Sequence, residues 1–94
     1  MLFMVIEIFK DNDMLPIYRR FREAGRGLPD GLKYVDSWVE ANFNRCFQLM
    51  ECNDPRLLQQ WILHWQGTGV TFEIVPVVPG KDTRDVVASH LDRS

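Results

Sequence analysis

KYVDSWVEANFNRCFQLMEC, residues 33–52, is the stretch whose reading decides the fold. Two alternating arms rich in aromatic and β-branched side chains flank the polar break EANFN. The pattern predicts a β-hairpin with strands over residues 32–39 and Arg45–Glu51. A hairpin with one face in water shows one plainly polar set of side chains. Here neither set is plainly polar, so both faces are expected to be buried. Pairing Val39 with Arg45 sets Ser37 opposite Phe47 and Val35 opposite Leu49 on one side. Tyr34, Asp36 and Trp38 then join Cys46, Gln48 and Met50 on the other. A register one residue off would place Phe47 with Asp36, so the first register separates aliphatic from mixed residues better.

Outward from the hairpin, LFMVIEIF (Leu2–Phe9) is a nearly all-apolar run that reads as a central strand. Its even positions Leu2, Met4, Ile6 and Ile8 are aliphatic, while Phe3, Val5, Glu7 and Phe9 form the odd set. A first helix is predicted over residues 13–24, with Asp13 as N-cap and Pro16 in the first turn. Ile17, Phe21 and Ala24 make its apolar stripe, and Gly25 and Gly27 end it. In NDPRLLQQWILHWQ, Asp54 as N-cap and Pro55 signal a helix start; Leu58, Trp61, Ile62 and Trp65 fall on one face. Residues 70–78 form a last strand, with Pro76 at a sheet edge. Residues 79–94 are a tail with a possible short helix over residues 83–91, which has only Val86, Val87 and Leu91 to bury.

The order is β-α-β-β-α-β over residues 1–78, an α+β, ferredoxin-like arrangement with a four-stranded antiparallel sheet. The expected core sets Leu2, Met4 and Ile6, with Val35, Val39, Phe47 and Leu49, beneath the helices. Phe3, Val5 and Glu7, with the mixed hairpin set, then form a helix-free face. Such an apolar face is rare on a monomer, so a homodimer is expected. Two sheets packed face to face would make a dimeric α/β barrel with Glu7, Asp36 and Gln48 lining a pocket.

Ninety-four residues suit one domain. A net charge of −2 and a pI near 5.6 give no electrostatic reason to expect nucleic acid or an anionic membrane as partner. The longest apolar run, residues 1–6, is too short to cross a bilayer and lacks the cationic start of a secretory signal. Cys46 and Cys52, six residues apart on one predicted strand, lie about 20 Å from each other at the strand rise. That is too far for a disulfide, and reduced thiols fit a cytoplasmic protein. RNA-recognition domains share this element order, but RCFQLMEC lacks the glycine of their basic-Gly-aromatic strand. His64 and His90 are isolated, and no metal-ligand spacing occurs. The basic cluster of Arg19, Arg20, Arg22 and Arg26 has two readings, a hold for an anion or a solvated helix face, of which the second is the commoner.

Glu7 is the leading chemical candidate, a carboxyl in an apolar strand whose burial would raise its pKa toward proton-transfer duty. The plainer reading is a strand-end carboxylate paired with an arginine of the first helix. Asp36 across the sheet is the second acidic candidate. Cys46 has no activating neighbour in sequence and reads as a small buried hydrophobe. Phe3, Val5, Tyr34, Trp38, Cys46, Gln48 and Met50 form the candidate ligand-binding set, with the aromatics serving either a planar ligand or dimer packing. Trp61 and Trp65 read as core.

MLFMVIE, YRRFREAGR, SWVEANFNRCFQLME and FEIVPV resemble a family of short bacterial proteins known only as a domain of unknown function. The similarity covers most of residues 1–78. The family looks like part of the dimeric α/β-barrel superfamily, which holds small monooxygenases, muconolactone isomerases, stress-responsive barrels and ligand-binding regulatory modules. The resemblance implies the fold and the dimer and transfers no catalytic motif. A more distant likeness joins SWVEANFNRCFQLMECNDP to a small barrel family linked to nickel. Such a site needs several His or Cys ligands, and IEIF ends the first strand with none, so no metal or other cofactor is expected. The expected function is binding of a small, partly apolar organic ligand between helix-free sheet faces. The alternatives are a cofactor-independent isomerase or small monooxygenase with Glu7 or Asp36 as general base, with Trp38 and Tyr34 orienting substrate, and a purely structural or regulatory homodimer.

Overall fold

The structure is a computed structural model and describes residues 1–93. The chain runs β1 (Leu2–Phe9), α1 (Leu15–Ala24), β2 (Lys33–Val39), β3 (Arg45–Glu51), α2 (Arg56–His64), β4 (Val70–Val77) and α3 (Gly80–Leu91). The sheet is antiparallel throughout, in the order β2-β3-β1-β4. This is an α+β domain with ferredoxin-like topology. The near-continuous apolar sequence of β1 suits its central place, since both its edges are hydrogen-bonded and neither face carries a run of polar side chains. Pro76, which has no N–H to give, sits on the edge strand β4.

The helix starts follow from acidic side chains that accept otherwise orphaned N–H groups. Asp13 accepts the Leu15 N–H at 3.0 Å, and Asp54 accepts the Arg56 N–H at 3.0 Å. Both acids stand one residue before the backbone N-cap, which is Met14 in α1 and Pro55 in α2. Leu58, Trp61 and Trp65 are buried, as their spacing requires, whereas in α1 only Ile17 of the expected stripe is buried and Phe21 and Ala24 are exposed.

The hairpin register departs from the expected one partway along β2. Lys33 pairs with Glu51 and Tyr34 with Met50, as the Val39–Arg45 register demands. Beyond a β-bulge at Val35 the pairing shifts by one, to Asp36–Leu49, Ser37–Gln48, Trp38–Phe47 and Val39–Cys46. A bulge adds one residue to one strand and reverses the facing of everything after it. Tyr34 and Ser37, three residues apart, therefore share a face, and the Tyr34 hydroxyl lies 2.6 Å from Ser37 Oγ.

The two sheet faces are also exchanged relative to expectation, which is the main correction the structure makes. Phe3, Val5, Glu7 and Phe9 of β1 are buried beneath α1 and α2, together with Cys46, Gln48 and Met50 of β3. Val35 and Val39, expected in the core, are exposed, as is Ile8 of β1, while Leu2, Met4, Ile6, Phe47 and Leu49, also expected there, are only half-buried. These half-buried residues share their face with Val75 and Val77 of β4, set opposite Met4 and Leu2. Trp38, half exposed at 51 %, lies on this face opposite Phe47. Polarity alone misassigned the faces because the polar members of the odd set border a cavity, where they need no bulk water.

α3 begins three residues before the expected helix and has no buried residue. Val86, Val87 and Leu91 are exposed. The expected tail of residues 79–94 is described to residue 93, Ser94 lying outside the described residues.

Candidate functional site

Between the covered sheet face and the two helices lies a cavity of about 200 Å³. Its floor is polar and comes from the central strands, through Glu7 of β1 with Cys46 and Gln48 of β3. Glu7 and Cys46 are cross-strand partners, so strand pairing alone sets their side chains together. Gln48 Nε2 donates to the Met50 sulfur at 3.4 Å. The walls are aromatic, with Tyr18 and Phe21 from α1, Trp61 from α2 and Trp65 at its end. The far edge of β2 adds Ser37 and Val39, which the bulge turns inward.

Arg26 completes the rim from the loop after α1. Two contacts fix this loop, and a third fixes the helices beside it. Trp61 Nε1 donates to the Arg26 carbonyl at 2.9 Å, tying the loop to α2. Gly27, at φ +69°, packs against the His64 ring, where a β-carbon would collide. Arg20 donates to the His64 carbonyl at 2.6 Å and joins the two helices. The Arg26 guanidinium carbon lies 3.6 Å from the Tyr34 ring centroid and 5.0 Å from that of Phe21. Such stacking holds a cation without neutralising it.

Burial dominates the electrostatics. Glu7 is 6 % exposed, and desolvation pushes its carboxyl up to about 7, although the neighbouring Cys46 thiol and then the Arg26 charge oppose the shift. The Cys46 thiol is pushed up to about 12, first by burial and then by the neighbouring carboxylate. It therefore remains a thiol at neutral pH and has no nucleophilic character. Burial also raises the Tyr18 hydroxyl, followed by the influence of Cys46 and Glu7. At neutral pH the cavity holds one fixed cation and one carboxyl poised between its two charge states.

Of the candidates named from sequence, Glu7, Cys46 and Gln48 line this cavity. Phe3, Val5 and Met50 are buried on the same face farther along the core. Tyr34 supports Arg26 from that face. Asp36 and Trp38 are on the opposite side of the sheet, paired with Leu49 and Phe47, so Asp36 does not join Glu7 within one chain. The sequence marks Arg26 only as one of four clustered arginines, with a solvated helix face the commoner reading, and does not give its place at the cavity or the cavity role of Trp61 and Trp65. The two glycines flanking Arg26 mark a specially shaped loop and are the signal that was available. Among the described residues no group of three His, Cys, Asp or Glu side chains is placed to hold a metal ion. No helix of those residues is long and apolar enough to cross a membrane.

Fold and cavity define a small α+β domain with a polar-floored, aromatic-walled, half-open site. The chain belongs to the family described as Domain of unknown function (DUF3303), which it matches over residues 1–91. No curated protein and no solved structure matches it.

Proposed function

We propose that this protein binds a small, partly apolar organic molecule in the cavity between its helices and its sheet. The observation that carries this reading is the cavity itself, about 200 Å³ with Glu7, Gln48 and Arg26 set among aromatic walls. An apolar enclosure with a few convergent polar groups is the usual form of a small-molecule site. The site differs from the expected one, which lay between helix-free faces.

The helix-free face has a separate role in this reading, as the interface of a homodimer of the dimeric α/β-barrel kind. Met4, Ile6, Phe47, Leu49 and Trp38 form an apolar surface that a second copy would bury. The free thiols of Cys46 and Cys52 support a cytoplasmic setting. Native mass spectrometry of the freshly purified chain tests both parts. The expected result is a dimer with one small molecule retained per subunit. A monomer at micromolar concentration counts against the interface. Failure of any small organic compound to alter tryptophan fluorescence or thermal stability counts against the cavity site.

A second reading is favoured by one observation, the Glu7 carboxyl held near 7. A general base works best with a pKa close to the working pH, so Glu7 suits proton abstraction in a cofactor-independent isomerisation. On that reading Glu7→Gln abolishes turnover while ligand affinity and fold persist.

A further inference from the structure

We infer that the cavity takes a monocyclic organic acid, with the carboxylate held by Arg26 and the ring against the tryptophan wall. This rests on the reading of the cavity as a ligand site and adds the chemical class. Size comes first. A cavity of about 150 Å³ accepts benzene, so 200 Å³ suits one six-membered ring with a small substituent.

Charge and hydrogen-bonding capacity specify the substituent. The Arg26 guanidinium stacks on Tyr34, yet its N–H groups meet no acceptor and it forms no ion pair among the described residues. Trp65, 5 % exposed and also lining the cavity, has a buried indole N–H without an acceptor. A buried donor left unpaired is costly, and a cavity bordered by one such donor and by a half-buried, unpaired guanidinium is complementary to an acceptor. A carboxylate matches the guanidinium fork in geometry and in charge. An amine would meet the Arg26 cation instead.

The other titratable groups facing the cavity are Glu7 from β1, Cys46 from β3 and Tyr18 from α1; α2 and β2 contribute none. Cys46 and Tyr18 are both shifted upward from values already above physiological pH, so they stay neutral. Glu7 is then the group that the incoming anion forces to protonate. Acid binding therefore takes up a proton and weakens as pH rises through about 7.

The test uses benzoate and its neutral isostere benzamide on the full chain, followed by calorimetry and tryptophan fluorescence. Benzoate is expected to bind at least about tenfold more tightly than benzamide and to lose about tenfold in affinity between pH 6 and pH 8. Arg26→Gln is expected to remove the preference for benzoate, with circular dichroism confirming its fold. Equal binding of the two probes by the wild-type chain would overturn the acid class and leave the cavity site standing. Binding of neither probe would likewise overturn the acid class, and the cavity reading falls with it only if the freshly purified chain also retains no small molecule in native mass spectrometry. Should Arg26→Gln not fold, the wild-type comparison and its pH dependence still decide.

Discussion

Replacing Glu7 by glutamine should stabilise the protein at neutral and alkaline pH, by an amount the structure allows to be worked out. Glu7 is 6 % exposed, and its carboxyl lies at about 7 in the fold against an ordinary 4.5. Between those values the folded state binds more protons than the unfolded chain, so stability falls as pH rises. It is fully present below about pH 4.5 and has been lost above about 7. The whole difference corresponds to about 3 kcal/mol, of which about 2.5 kcal/mol falls between pH 5 and pH 8. Glutamine is nearly isosteric and carries no charge, so Glu7→Gln should lack this dependence and exceed wild type at pH 8 by about 2 kcal/mol after the cost of an imperfectly paired amide. For a domain of this size that is about 10 °C in Tm. Thermal denaturation at fixed protein concentration, followed by circular dichroism at pH 5, 6, 7 and 8, reads the effect directly. The pH 5–8 window separates Glu7 from the other shifted groups. Glu40 and Asp54, both lowered by their arginine partners, act below it, and Cys46 acts above it. A variant less stable than wild type at pH 8, or showing the same pH dependence, would refute the reasoning.

Three further substitutions probe how the site is held. Trp61→Phe removes the donor to the Arg26 carbonyl and leaves that acceptor unpaired, at a cost of about 2 kcal/mol by urea denaturation; an unchanged midpoint would detach the Arg26 loop from α2. Gly27→Ala combines a positive φ with a collision against the His64 ring, and should lower Tm by roughly 10 °C; a shift within experimental error would show that the loop moves freely. Ending the chain after residue 79 removes only α3 and the residues after it. Since α3 has no buried residue, Tm should change by no more than about 3 °C, and a large loss would show that the helix is packed in solution.

The hairpin illustrates what local sequence can and cannot specify. Its two arms, their turn and the start of their pairing at Tyr34–Met50 were legible because alternation and β-propensity are properties of neighbouring residues. The bulge at Val35 was not, since one unpaired residue leaves no trace in periodicity. That bulge moved Trp38 and Asp36 to the open face and brought Ser37 and Val39 to the cavity. Glu7 was legible as a carboxyl in an apolar strand. Arg26 was not, because its place depends on Trp61, Tyr34 and Phe21, which come from three other points in the chain.

By itself the sequence determined the element order, the antiparallel sheet, the helix starts at Asp13 and Asp54, and the buried face of α2. Each follows from short-range periodicity, capping and backbone sterics. Tertiary structure alone decided which face of the sheet the helices cover. Both faces of β1 and β3 carry enough apolar surface to form a core, so hydrophobicity did not distinguish them. Packing distinguished them, because the face bearing Phe3, Phe9 and Phe72 meets the tryptophans of α2 and still leaves room around Glu7 and Gln48. A polar residue is compatible with the covered side of a sheet when a cavity adjoins it, and that local solvation depends on the three-dimensional arrangement of residues distant in the chain.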